Sequence, residues 1–511
     1  MGSGLFRLFR KVFYLFSLYL RSEAPQDPAI IMMDKNLSYQ VELDIPAGHS
    51  SDLLDFINAK YLQRKKEQVA DVSKVTKDSN PVLSFIVLNP EQKPAMKVEI
   101  RSTKPIFVSI LVIDKSVPAE MVENVKQDLN FLFRSFEEQV REDTLFFAWR
   151  EGETIKPERV SEKGNRSINR LFLETQILLF IVFIALGAFL WFFIGWLVPI
   201  VILAVQFVFV FFSNKIIARM ADWKITENNP SIHLLQYRLP LDEHEKLNQK
   251  LSKTELVDIK KEMYERTIAE DGEVDCETMH EIFTKHGIPC KPENLAGKKV
   301  DVYHLVKKVA DKFGFPMPDV VVSNTIIPNA AASGPSPKRG VVLITTGLLA
   351  HLTENEIISV LGHEFGHLKG HDPLSLYALT SAQYLFTFYV AFNLFPWIFD
   401  SILFFVYFWA IMTILYFVAK FFEARADLTS AMIIGEPKTL ARSLEHIGFK
   451  RLMYERVPAY RFQQWIGFDP HPPIYFRINR LEKLQVPVDI KHPLARSAKD
   501  VTRAFLANLG F

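Results

Sequence analysis

The chain has 511 residues, long enough for two or more domains with separate cores. Its 60 basic and 58 acidic residues nearly cancel, which gives no support for nucleic-acid binding. Two cysteines, Cys276 and Cys290, match no zinc or redox spacing and make no disulfide framework, so both read as ordinary thiols on the reducing side.

Residues 1–22 place Arg7, Arg10, Lys11 and Arg21 among leucines and phenylalanines. Arg7, Arg10, Tyr14, Ser17 and Arg21 recur at helical spacing, which suits a basic amphipathic helix lying in a membrane interface. A signal peptide fits less well, because the run Val12–Leu20 is short and Pro25 follows Ala24. Residues 36–150 read as a small α/β domain. YQVELDI, VLSFIVL, AMKVEIR and IFVSILVI form its strands, and Pro118–Val140 its amphipathic helix. Presenting substrates, binding a partner and packing over a neighbouring domain are all compatible with it.

Thr175 to Phe212 carries no charged residue and is too long for one membrane span. Residues 172–213 therefore read as a transmembrane hairpin, turning near Gly195 and Pro199 with Trp191 and Trp196 beside the turn. Residues 214–300 read as a charged helical connector, clearest in LSKTELVDIKKEMYERTIAE. His280 and His286 within it read as surface or core histidines.

Thr353 to Lys369 reads as one helix. Thr353 is a good N-cap, Glu356 completes a capping box, and Ile357, Val360, Leu361 and Leu368 supply an apolar face. Inside it stands HEFGH. If the segment is helical, His363 and His367 lie one turn apart on one face, so both imidazoles can reach a single Zn²⁺. Glu364 sits where it can take a proton from a metal-bound water. A catalytic zinc usually takes three protein ligands and leaves one position open. A histidine six residues after His367 is excluded, because that position is Pro373. His371 and Glu423 remain as candidates. His371 would need the helix to run past Gly370. Glu423, in FFEARAD, should sit on a helix with Asp427 on the same face. That spacing suits a ligand plus a carboxylate that orients a ligating histidine. The plainer alternative is a solvated acidic helix surface, with Lys420 and Arg425 nearby.

Between these two halves, 374–419 reads as a second transmembrane hairpin, Leu374–Ile398 and Ile402–Ala419, turning at Pro396 and Asp400. Lys163, Arg166 and Arg170 precede the first hairpin, and Lys215, Arg219 and Lys224 follow it. Lys369 precedes the second, and Lys420 and Arg425 follow it. All soluble parts are therefore expected on the cytoplasmic side of a multi-pass membrane protein.

The succession of HEFGH, a membrane hairpin, E-x-x-x-D and a late H-P-P with R-I-x-x-L resembles the integral-membrane zinc metalloproteases of the HtpX and CAAX-prenyl-protease group. VVLITTG and PNAAASG (Pro328–Gly334) resemble that group as well, and the likeness covers roughly Val320 to Leu484. The resemblance implies His363, His367 and Glu423 as Zn²⁺ ligands and Glu364 as base. It places His471 and Arg477 near a developing oxyanion. Asn329 with Ala330, Ala331, Ala332 and Ser333 would form an edge strand that pairs with an extended substrate. The first 170 residues and those between Lys215 and Val300 match nothing in the group. The expectation is thus an α+β, multi-span protein. Its zincin-type protease domain is split between 301–373 and 420–511, with an extra N-terminal α/β domain. The expected activity is zinc-dependent cleavage of membrane proteins or their cytosolic segments, in protein quality control. The alternatives are a dedicated prenyl-protein processing protease and a non-catalytic zinc-containing membrane scaffold.

Overall fold

Alternating apolar residues build a five-stranded antiparallel sheet near the start of the computed structural model. The structure describes residues 36–150, 185–238, 253–266, 276–286 and 295–509, apart from 42, 44–49, 78–79, 90, 115, 143, 188, 400–401 and 456–457. The amphipathic helix expected over 1–22 lies outside the described residues. The chain divides into two compact units, Met1–Asp143 with Leu506–Phe511, and Thr144–Phe505.

The first unit comprises β1 (Asn36–Val41), α1 (Ser50–Ile57), β2 (Val69–Lys77), β3 (Asn80–Leu88), β4 (Pro94–Arg101), β5 (Ile106–Val112) and α2 (Ala119–Glu142), with strand order β1-β5-β4-β3-β2. The period of two sends Leu83, Phe85, Val98, Ile100, Val108 and Ile110 to one face. Against that face lie Leu53, Leu54 and Ile57 of α1 and Leu129, Phe133, Phe136 and Val140 of α2, the latter at helical spacing. α1 and β2 have no counterpart among the elements expected from the sequence.

The second unit opens with β6 (Thr144–Arg150). Its residues fall within the N-terminal domain expected over 36–150, where no strand was expected at this point, and it pairs with β8 of the second unit. Next, the run Ala185–Phe211 is long and apolar enough to cross a membrane. It is not one straight rod. Gly195 takes φ +50°, a 3-10 turn covers Gly195–Leu197, and a Cβ on Gly187 would lie 3.1 Å from Ile202. A straight helix would hold those two residues about 22 Å apart, so the chain folds back at the turn. α3 (Val198–Phe211) and α4 (Ser213–Met220) follow.

The helical connector expected over 214–300 is corrected here. It holds α5 (Lys253–Arg266) and α6 (Cys276–Lys285), but also β7 (Trp223–Ile225), β8 (Ser231–Arg238) and β9 (Leu295–Asp301). β8 is the middle strand of the sheet β6-β8-β9. After α7 (Val302–Phe313) come β10 (Asp319–Ser323), β11 (Ala330–Ser333) and β12 (Val341–Thr345), which with β7 form the sheet β11-β12-β10-β7. β10 runs parallel to β12, and β11 runs antiparallel to it at the sheet edge.

α8 (Thr346–His351), α9 (Glu354–Gly370) and α10 (Asp372–Phe386) follow. α10 alone is about 22 Å long, and it continues through a π-helical turn, Thr387–Ala391, and Phe392–Leu394 to reach a bilayer's thickness. α11 (Leu403–Ile433) is the second helix that is long and apolar enough to span. Four spans in two hairpins were expected; the described residues hold two runs that are long and apolar enough by length and composition to cross, Ala185–Phe211 and Leu403–Ile433. Exposed Phe, Trp, Leu and Ile concentrate on these segments, from Phe189 to Phe212 and from Phe386 to Ile414. The two regions pack together: Trp196 meets Phe388 edge-on at 5.4 Å, and Tyr389 donates to the Trp196 carbonyl at 2.6 Å. α12 (Pro437–Glu455), α13 (Pro458–Ile466), α14 (Ile474–Glu482) and α15 (Pro493–Asn508) as far as Phe505 complete the unit.

Candidate metal centre

The site begins with the start of α9. Thr353 Oγ1 accepts from the Glu356 backbone N–H, and Glu356 accepts from the Thr353 N–H at 2.9 Å, so the expected capping box is present. Glu356 also pairs with His446 at 3.1 Å. Burial pushes its carboxyl up, but the bonds from His446 and Thr353 outweigh that and hold it down at about 2.

Glycines then recur every fourth residue. Gly362, Gly366 and Gly370 present bare backbone to α11. A Cβ on Gly366 would lie 3.0 Å from the Ala426 Cα and carbonyl oxygen, and one on Gly370 would overlap the Arg425 guanidinium. The stripe lets α9 and α11 approach almost backbone to backbone. Glu423, 56 positions after His367 in the chain, is thereby brought beside both histidines.

Three edges define the resulting triangle. His363 Nε2 and His367 Nε2 are 3.2 Å apart, His363 Nε2 lies 3.5 Å from Glu423 Oε2, and His367 Nε2 lies 3.4 Å from Glu423 Oε1. Ligand atoms about 2.0–2.1 Å from a tetrahedral Zn²⁺ stand about 3.3–3.4 Å from one another. The residues present therefore fit one face of a zinc tetrahedron.

Both imidazoles are aimed from behind. His363 Nδ1 bonds Asp427 at 2.9 Å and His367 Nδ1 bonds Asp372 at 2.7 Å. A proton on each Nδ1 leaves both Nε2 lone pairs facing Glu423. Burial would lower the His363 pKa, but its bonds to Asp427 and Glu423 push it up to about 10. The carboxylates thus favour positive charge at this point. Each orienting carboxylate is itself held. Arg477 Nε and Nη2 grip Asp427 at 2.9 and 2.7 Å, and Arg425 Nη2 meets Asp372 at 2.5 Å.

Glu364 points elsewhere. Its Oε2 accepts the Ala332 N–H of β11 at 2.9 Å, so the proposed base touches the proposed substrate-binding strand. Asn329 shapes the entry to that strand: its Oδ1 accepts the Ala330 N–H, and its own N–H and carbonyl both meet Thr345 Oγ1.

His471 Nδ1 lies 2.8 Å from Glu423 Oε2. The pair is close but poorly directed for a hydrogen bond, since the buried Oε2 finds no well-aligned donor among the described residues. The sequence paired His471 and Arg477 in one role. His471 is half exposed beside Glu423, whereas Arg477 is buried behind His363, with Nε and Nη2 on Asp427 and Nη1 3.9 Å from the same Glu423 Oε2. His371 does not join the cluster. It caps α9 in the left-handed region at φ 53°, ψ 38°.

Sequence reasoning missed Asp372, Arg425 and the glycine stripe. The three glycines four apart carried a readable signal for close helix packing.

Comparison with known proteins agrees with this geometry. Residues 297–485 match Peptidase family M48. A Protease HtpX homolog of Thermococcus sibiricus is 31% identical over 215 residues, which is 36% of this chain and 73% of that relative. One from Desulfatibacillum aliphaticivorans is 31% identical over 218 residues, 36% of this chain and 69% of the relative. A shorter match, 43% over 74 residues, takes in 14% of this chain and 26% of a Protease HtpX homolog from Thermodesulfovibrio yellowstonii. The crystal structure of S. mikatae Ste24p shares 19% identity over 36% of this chain and 50% of that one; its TM-score of 0.31 is too low to carry an argument. On the strength of the HtpX relatives, the chain belongs to peptidase family M48, as an HtpX-like metalloprotease.

Proposed function

We propose that this chain is a zinc-dependent endopeptidase of the membrane surface that cleaves membrane proteins or their cytosolic segments, in a quality-control role. The supporting observation is the triangle of His363, His367 and Glu423, with edges matching a zinc tetrahedron and each histidine backed by a carboxylate. Bound there, Zn²⁺ would polarise a carbonyl and acidify a water.

The chain's own residues supply the rest. An extended peptide adds to the free edge of β11, where Ala330–Ser333 leave room alongside. The Ala332 N–H that Glu364 now holds belongs to that edge, so Glu364 exchanges this bond for the attacking water when substrate docks. Glu364 then takes the water's proton and passes it to the leaving amine. His471, half exposed beside Glu423, is placed to donate to the carbonyl oxygen as it gains charge. The basic residues flanking the apolar segments put the soluble parts on the cytoplasmic side.

The test is Glu364→Gln in the purified full chain. Cleavage of an unfolded membrane protein should vanish while zinc stays stoichiometric. Loss of zinc equal to the loss of activity would overturn the assignment of Glu364 as base.

A further inference from the structure

A cavity of about 470 Å³ opens between the last turn of α9, the middle of α11 and the segment entering α15. Lys369, Arg425, Lys491 and His492 line it together with Thr429 and Leu494, and no carboxylate does so among the described residues. Lys369 and Lys491 are exposed and form no ion pair with a described residue. Arg425 is half spoken for. Its Nη2 holds Asp372, while its Nε is buried without a partner among the described residues.

The start of α15, a helix of 16 residues, adds to this field. Pro493 has no N–H to offer, but the Leu494 and Ala495 N–H groups stand in the first turn, where no intrahelical acceptor reaches them. Pro493, Leu494 and Ala495 supply an apolar wall beside these charges.

The cavity's place in the chain narrows its occupant. Lys369 stands three residues before the start of α10, and Arg425 lies on α11 just beyond its apolar stretch. Both mark where the two apolar arms meet the soluble unit, the level of lipid headgroups in a bilayer.

We propose that this cavity binds a phosphate group, and that its source is the headgroup of an anionic phospholipid. Lys369, Lys491 and the guanidinium of Arg425 that lines the cavity supply positive charge to the phosphate oxygens, and the apolar wall takes the adjoining carbon. Arg425 also holds Asp372, which orients His367, so an occupied cavity fixes the guanidinium that positions a metal ligand. The inference rests on the membrane placement proposed above and not on the chemistry of the metal centre.

The test uses the full chain in neutral detergent, with short-chain phosphatidylglycerol, short-chain phosphatidylcholine and inorganic phosphate as separate titrants read by thermal shift. Phosphatidylglycerol should bind at least about ten-fold more tightly than phosphatidylcholine. Lys369→Glu/Lys491→Glu should abolish that preference without changing zinc content or the lipid-free melting temperature. Lys369→Ala/Lys491→Ala serves if charge reversal prevents folding. Equal affinity for the two lipids, or an unchanged preference in the variants, would overturn the proposal. An equal shift with inorganic phosphate at the same concentration would overturn the lipid source and leave a soluble phosphate site. Flotation on phosphatidylcholine vesicles reads the membrane placement separately.

Discussion

Gly366→Ala is the most informative single substitution in this chain. The added methyl would sit 3.0 Å from the Ala426 Cα and carbonyl oxygen and 3.2 Å from its Cβ. Comfortable contact needs about 3.5–4.0 Å, so α9 and α11 must part by about 0.5–1 Å. Two energies then oppose each other. Alanine favours a helix over glycine by about 0.8–1 kcal/mol. Overpacking against immovable backbone costs about 1–3 kcal/mol. The net destabilisation is therefore modest, about 0–2 kcal/mol, and melting temperature is a weak reporter. The metal is a strong one. His367 directly follows Gly366 and Glu423 lies one turn from Ala426, so nearly all the displacement falls on the His–Glu edges of the triangle. Zinc geometry tolerates only about 0.2 Å. Zinc affinity, measured by chelator competition, should fall at least about ten-fold. Gly362→Ala is the comparison: its methyl meets side chains rather than backbone, Ile434 Cγ1 at 2.5 Å and Ser430 Oγ at 2.7 Å, and relief costs the Ser430 bond to the Ser359 carbonyl, so it should lower melting temperature more than zinc affinity. Unchanged affinity in Gly366→Ala would refute the idea that the glycine stripe sets the ligand geometry.

Asp372→Asn should weaken zinc binding by about 10–100-fold, as loss of a carboxylate behind a ligating histidine does; affinity within two-fold of the parent would show that His367 needs no such support. Glu356 should make the protein acid-sensitive in a defined window. Its folded pKa of about 2 lies below its ordinary 4.5, so its stabilisation is complete above 4.5 and is lost as pH falls from 4.5 towards 2. In that window Glu356→Gln should show a shallower decline of melting temperature than the parent, and parallel declines would contradict this. Ala331→Trp should block peptide cleavage with zinc retained, and full cleavage would remove β11 as the substrate's docking strand.

What the sequence made legible was local. The capping box, α9 and the two histidines follow from contacts within four residues, and the sequence states them outright. Glu423 and Asp427 could be put on one helix face, and the hairpin between the two halves together with the family resemblance brought Glu423 back to the histidines; the glycines that let α9 and α11 approach so closely show their role only across the interface. Asp372 was hidden for another reason. It comes back to His367 Nδ1 only because His371 adopts a left-handed conformation and turns the chain sharply after Gly370. β8 was lost inside a charged stretch, since SIHLLQYR is short and its partners lie far away in sequence, at Thr144–Arg150 and Leu295–Asp301. β11 is all Ala and Ser, residues with little intrinsic preference for strands. Its conformation comes from β12, which the sequence did show.

The separation of Glu423 from its two partner ligands also bears on how the protein is made. Fifty-six positions divide Glu423 from His367, and the apolar arms α10 and α11 fill most of that distance. A chain still being synthesised therefore carries both histidines and Glu364 well before it carries the third ligand. Even when that ligand emerges, it reaches the histidines only once α11 has returned and docked on the glycines of α9. Docking of α11 on α9 is thus a precondition of the complete His363–His367–Glu423 cluster. A metalloprotease built this way holds only two of its three candidate ligands together until that docking is made.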